Sequence, residues 1–371
     1  MPLSPEERAY LEGRAPHPNA GHRIAPNPAQ HPRLRQYDKR DLTLAVRDLV
    51  RLRMMGPRRA GEVNPVAESL FLEDCPLERI AEELYPSTNT RQATTQSDWL
   101  DLITPAFAEA VAIGYSQQSK AYENLLYDIS AQDFKGIETA LVDLGMLDEL
   151  VEDGEPGHVN ISVSDGVTAN VRTFAKVFKL SRRAWSNLGL EGLNLALSML
   201  GAQAARREQQ LIASQLEANP TLGDGSNLFT GANALTGYGS TSAASLDAAG
   251  NVLRTQETGT GEPANLTLKY LIIPPEMEAS SHVLLTAMQP PSEREPRVQA
   301  VVNPWLTTAD TFYAFASPSE GPCLARYYLA GTNGQPTVMT TKLKSGGYGW
   351  SIFHDVEIKA VSRLGAVRVT A

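Results

Sequence analysis

Residues 159–217 read VNISVSDGVTANVRTFAKVFKLSRRAWSNLGLEGLNLALSMLGAQAARREQQLIASQLE, and two periodicities meet in them. Val159, Ile161 and Val163 alternate with Asn160, Ser162 and Ser164; after Asp165-Gly166 the alternation resumes with Val167, Ala169 and Val171. Asp-Gly between two alternating arms predicts a β-hairpin, because a type I′ turn needs positive φ at both central residues. Each arm of about six residues would extend roughly 20 Å. A two-stranded ribbon is marginal alone in water, so this one must lean on its own domain or on a neighbouring chain. Beyond Trp185 the period changes. Leu193, Leu197, Leu200, Ala204, Leu211 and Ile212 form an apolar helical stripe over Glu191–Glu217, with Arg206, Arg207, Glu208 and Gln209 read as its wet side. Such a helix would be about 40 Å long, a strut closed by Asn219-Pro220.

Working outward, residues 220–262 are rich in Gly, Ser, Thr and Asn and read as loops with a short helix near Ser245–Arg254. Tyr270–Ile273 before Pro274-Pro275 is a buried strand, and Trp350–Ala360 is a long strand of period two, followed by a second at Ala366–Thr370. Upstream, Trp99, Leu102, Ile103, Phe107, Val111 and Tyr115 mark a helix over 97–115, with a kink or break expected at Pro105. Asp74-Cys75-Pro76 opens a further helix that Tyr85-Pro86 closes, and residues 87–97 form a polar linker. Residues 41–54 predict an amphipathic helix, and residues 13–37 an extended arm rich in Pro, His and Asn.

The chain has 371 residues, 33 Lys+Arg against 42 Asp+Glu and a net charge of −9. Its 42% apolar and 20% charged residues are those of a globular protein with one large or two modest domains. No apolar run of transmembrane length occurs, and MPLSPEERAY does not read as an export leader. Two cysteines, Cys75 and Cys323, leave no disulfide scaffold and suit a reducing compartment. Residues 1–60 hold twelve basic and six acidic residues, so a +6 segment precedes a remainder of −15. That asymmetry suits a polyanion or an acidic partner surface, or else a solvated tail that docks on the body's own acids.

Concentrated chemistry is not legible. No phosphate loop, nucleophile elbow, H-E-x-x-H or C-x-x-C occurs, and Gly259-Thr-Gly261 does not complete a dinucleotide motif. His354-Asp355 beside Ser351 suggests a catalytic group, but strand alternation puts His354 opposite both neighbours; His354 is read as a core or interface histidine. Cys323 is read as a small buried hydrophobe. Glu152, Asp153 and Glu155 sit in a loop where solvation is expected, and His17, His22 and His31 lack metal-ligand spacing. The expectation is of no enzyme, no cofactor and no metal.

The segment Val171–Trp185, the helix with Gln203-Ala-Ala-Arg-Arg-Glu208, Asn219-Pro-Thr-Leu-Gly-Asp-Gly225 and Leu228-Phe-Thr230 together resemble major capsid proteins of tailed bacteriophages with the Hong Kong 97-type fold. Gln96-Ser-Asp-Trp99, Asp133-Phe-Lys135, Tyr270–Pro275 and Phe353-His-Asp355 resemble the Mu-like head subunits and the capsid halves of protease–capsid fusions. The resemblance spans about residues 95–371 and rests on the order of these motifs.

The resemblance implies an α+β, Hong Kong 97-like architecture. Residues 1–95 would be an extended basic N-terminal arm with short helices, and 96–147 the helical start of the capsid fold. Residues 148–180 would be the extended loop, 181–219 the peripheral domain with its spine helix, 220–340 the axial domain and 341–371 the C-terminal strands of the peripheral domain. Val159, Ile161, Val163, Asp165, Gly166, Val167 and Val171 would lie between subunits. Arg47, Arg51, Arg53, Arg58 and Arg59 would face DNA or a scaffold. Residues 148–172 contain no lysine, so isopeptide cross-linking from the loop is not expected, and the arm is expected to be retained. The implied partners are further copies in hexamers and pentamers, portal, scaffold and decoration proteins, and packaged double-stranded DNA, with no membrane. The implied location is the virion, after assembly in the bacterial cytoplasm. An encapsulin-like compartment holding protein cargo is the alternative, and a soluble enzyme with an unrecognised site the third reading.

Overall fold

A computed structural model describes residues 39–55, 63–72, 96–118, 120–139, 166–180, 182–238, 240–258, 261–288, 298–341 and 348–371. Its helices are α1 (Lys39–Met55), α2 (Pro65–Leu72), α3 (Gln96–Gln117), α4 (Arg182–Ala218), α5 (Ala243–Thr255) and α6 (Glu278–Met288). Its strands are β1 (Leu126–Ala131), β2 (Ile137–Thr139), β3 (Val167–Ala169), β4 (Arg172–Leu180), β5 (Ala234–Leu235), β6 (Tyr270–Ile273), β7 (Gln299–Val302), β8 (Thr311–Phe315), β9 (Leu324–Leu329), β10 (Thr337–Thr340), β11 (Tyr348–Ala360) and β12 (Ala366–Thr370). The chain divides into two units. One holds the residues up to Gln117 with Ala175–Ala204 and Gln335–His354; the other holds Gln118–Phe174, Ala205–Gly334 and Asp355–Ala371.

The first unit is built on helices. Leu42, Ala45, Val46, Leu49, Val50 and Leu52 recur at helical spacing on α1, and all are buried. Asn64 opens α2: its Oδ1 accepts the Val66 N–H at 2.8 Å, with Pro65 in the first turn. These helices share a core with Ile103, Phe107 and Val111 of α3, Leu193 and Leu197 of α4, and Trp350 and Ile352 of β11. From Lys39 to Leu72 the described chain is thus part of a folded core, where the sequence suggested short helices on an extended arm. The reason is that α1 and α2 present apolar faces that α3 covers within the same chain. Helix α3 runs through Pro105 as one element. Trp350 seats against it, with Nε1 donating to Thr104 Oγ1 at 3.1 Å and ring centroids 4.6 Å from Phe107. β10 and Trp350–Phe353 of β11 pair antiparallel.

The second unit contains a sheet in the order β5-β12-β8-β6-β7. Alternation along its strands explains both covered faces. Leu271, Ile273, Phe312, Ala314, Val367 and Val369 meet Leu246, Ala249 and Leu253 of α5 and Leu284 and Leu285 of α6. Ile272, Val301, Tyr313, Phe315 and Ala366 meet Leu211, Ile212 and Leu216 of α4 and Phe229. β12 lies between β5 and β8. Apolar residues on both of its faces fit an interior strand, but pairing with partners over fifty residues away in sequence is not locally encoded. Elsewhere in this unit β1 runs parallel to β9, which pairs antiparallel with Val356–Ala360 of β11.

Helix α4 starts at Arg182 instead of Glu191, giving 37 residues or about 55 Å. Gly189 and Gly192 weaken the helical signal there without ending the helix. The expected helix after Asp74 lies outside the described residues. Among the described residues no helix is long and apolar enough to cross a membrane.

Candidate functional site

β2 and β3, which flank residues 140–165 in sequence, form a small sheet docked on the β1–β9 surface. β2 and β3 pair antiparallel, with Ile137 opposite Ala169, Glu138 opposite Thr168 and Thr139 opposite Val167. Thr139 and Val167 are therefore adjacent. Ile137 of β2, with Ala169 and Val171, packs on Ile129, Ala131, Ala325, Tyr327 and Val361. Tyr327 Oη donates to Thr139 Oγ1 at 2.8 Å, and burial pushes this phenol above its ordinary pKa. Lys359 Nζ donates to the Thr168 carbonyl at 2.8 Å. Arg172 grips Glu357 with Nη2–Oε1 at 2.8 Å and a second bond from Nε to Oε2, the bidentate geometry that fixes a guanidinium most firmly. Thr173 Oγ1 donates to Asp355 Oδ1 at 2.6 Å.

Of the residues expected to lie between subunits, Val159, Ile161, Val163 and Asp165 fall outside the described residues, while Gly166 and Val167 are half-buried. Val171 requires a correction. It is buried in its own chain's core, because alternation turns it with Ala169 onto the β1–β9 surface. The described partner of β3 is β2, from before residues 140–165.

A second polar cluster holds the same sheet. Arg326 of β9 donates through Nε and Nη2 to both Asp128 carboxylate oxygens at 2.7 Å, and through Nη1 to Glu123 at 3.2 Å and Glu208 at 3.4 Å. Tyr122 Oη donates to Glu208 Oε2 at 2.9 Å, and Lys120 Nζ to Glu123 at 3.0 Å. Glu208, read as a wet residue, is fully buried. Its partners lie 86 and 118 residues away in sequence, so helical periodicity could not reveal them.

On α1, Arg51 Nη2 lies 2.7 Å from Glu109 Oε1 of α3 and Arg47 Nη2 lies 3.9 Å from Oε2. Arg51 is thus an internal brace between two helices and not a free cation, whereas Arg47 remains exposed. Arg53 is half-buried, and Arg58 and Arg59 fall outside the described residues.

His354 is buried, with its ring edge-on to Tyr115 at 5.6 Å, as a core histidine would be. Ser351 shares a hydrogen bond with Thr341. Burial pushes the Cys323 thiol far above its ordinary pKa, which suppresses its thiolate. Among the described residues no group of His, Cys, Asp and Glu is arranged to hold a metal ion.

A family model described as phage capsid protein matches residues 165–369, from just before β3 to the last strand. The chain belongs to the phage capsid protein family. As a phage capsid protein it is a structural, shell-forming component of the virion, and its α+β architecture accords with the Hong Kong 97-type expectation. No curated protein matches this capsid protein in sequence. Similar solved structures include the capsid of Ralstonia phage GP4, at 11% identity over 66% of this chain and 86% of that one, with a TM-score of 0.47. The holo-SrpI encapsulin complex from Synechococcus elongatus PCC 7942 is similar at 10% identity over 69% and 88%, TM-score 0.46. The virus-like particle from Pyrococcus furiosus is similar at 13% identity over 72% and 98%, TM-score 0.45.

Proposed function

We propose that this capsid protein closes an icosahedral head from hexamers and pentamers around double-stranded DNA, assembling in the bacterial cytoplasm with portal, scaffold and decoration proteins. The observation that carries the reading is the docking of β2 and β3, which flank residues 140–165, on the β1–β9 surface. They are fixed there by a hydrophobic patch, a bidentate ion pair and two further hydrogen bonds. A segment anchored so firmly at both ends suits a limb that transmits load to a neighbouring subunit. In this reading the β5-β12-β8-β6-β7 sheet with α5 and α6 is the axial domain, and α4 the spine of the peripheral domain. The branch is the Mu-like one. With no lysine between residues 148 and 172, cohesion at the loop is non-covalent. In this reading Arg47, Arg51, Arg53, Arg58 and Arg59 form the basic face toward DNA or scaffold, with Arg51 also bracing α1 to Glu109.

The test is a variant in which residues 145–160 are replaced by a short Gly-Ser link. It should give folded subunits that form no shells by electron microscopy. Normal shells from this variant would defeat the reading.

A further inference from the structure

The turn that leads into β2 carries an aromatic side chain that its own chain leaves uncovered. Phe134 is 52% exposed on the bend Gln132–Lys135, between β1 and β2. The Asp133 carboxylate accepts the Lys135 backbone N–H at 3.0 Å and lies 3.6 Å from Lys135 Nζ, so the bend is pinned from both sides of Phe134. Gly136 then passes so close to β3 that a Cβ there would lie 2.7 Å from Thr168 Cγ2. The turn is thus seated directly on the β2–β3 sheet, and a second half-exposed aromatic, Tyr127 at 51%, lies on β1 just before it. Single exposed apolar side chains are common; this one sits on a turn seated against β3. Aromatic anchors of this kind dominate protein–protein contacts when a partner desolvates them.

We propose that Phe134 is an inter-subunit anchor that inserts into an apolar recess of a second copy of this chain. The proposal rests on the shell reading above, which supplies that second copy. Continuity argues for the same partner: one residue after the bend the chain enters β2, which leads into residues 140–165, the limb of that reading.

The test compares wild type, Phe134→Ala and Phe134→Leu as full-length chains, with a photo-cross-linking p-benzoylphenylalanine placed at position 134. Phe134→Ala should raise the concentration needed for shell formation at least roughly tenfold, with Phe134→Leu between it and wild type. The thermal midpoint of unassembled subunits should stay close to wild type. Irradiated shells should yield covalent subunit–subunit dimers. Wild-type shells with an unaffected Phe134→Ala variant would overturn this inference alone, as would cross-links only within one subunit or to a different protein. A Phe134→Ala subunit that loses its own thermal stability would also overturn it, since the ring would then serve its own fold. Wild-type subunits that never form shells would overturn the shell reading together with this inference.

Discussion

Arg326 shows at residue scale what holds the second unit together. Its guanidinium meets three carboxylates, one of them on the fully buried Glu208. Removing one partner of such a cluster leaves an uncompensated buried charge. Arg326→Met should therefore lower unfolding stability by about 3–5 kcal/mol, read by urea titration of unassembled subunits, and Arg326→Met with Glu208→Gln should recover part of that loss. Tyr313 gives a pH dependence. Burial first, then the Glu217 carboxylate, push its phenol up to about 12, against a smaller opposing pull from Arg368. An acid whose folded pKa is raised holds its proton more tightly when folded. Its contribution is complete below the ordinary tyrosine value of about 10 and is lost as pH rises through the folded value. Stability should fall between those limits by at most about 1.4 kcal/mol per pH unit from this group, and Tyr313→Phe should flatten that part of the pH–stability curve. The buried Cys323 thiol shifts in the same direction, so Tyr313→Phe will not abolish the alkaline loss. Little of this was legible beforehand. Cys323 and His354 were readable as core residues from their apolar surroundings, but Glu208 was not, since a polar position on a helix says nothing of a cation 118 residues later.

At the scale of elements, α3 and α4 approach backbone to backbone at two glycines. A Cβ on Gly114 would lie 2.0 Å from the Ser198 carbonyl oxygen, and one on Gly201 would lie 2.0 Å from that of Val111. Backbone cannot yield as a side-chain tip can, so Gly114→Ala and Gly201→Ala should each destabilise by about 2–3 kcal/mol. An alanine's better helix propensity, worth about 1 kcal/mol, would not offset this. Circular-dichroism melts of the subunits should report it, and unchanged midpoints would contradict the contact. Elements with an uninterrupted local period were legible: α1, α3, α5, β6 and β11 fall within a few residues of where alternation or helical spacing puts them. The start of α4 was hidden by two glycines. β12's place beside β8, and Val171's burial under β1 and β9, depend on which distant strand comes alongside, and no local pattern encodes that. The first arm of the hairpin expected at Asp165-Gly166 lies outside the described residues; β3, at the start of its second arm, pairs with β2.

At the scale of the molecule, the described residues build hydrophobic cores within each unit and dock β2 and β3 on one of them. It leaves Phe134, Tyr127, Leu195 and Met199 each more than half exposed. Isolated subunits keep that apolar surface wet; copies packed side by side would not. Membership of the capsid family follows from residues 165–369, and the order of motifs along the sequence had already pointed there, since order survives where individual residues do not. The central claim is that stabilising contacts beyond the subunit core are made between copies. Sedimentation velocity of the purified chain over a wide concentration range, with electron microscopy of the fast fraction, tests it most directly. The account predicts a threshold above which closed shells coexist with a fixed pool of small oligomers. A single slow species at every concentration, folded and monomeric, would contradict it.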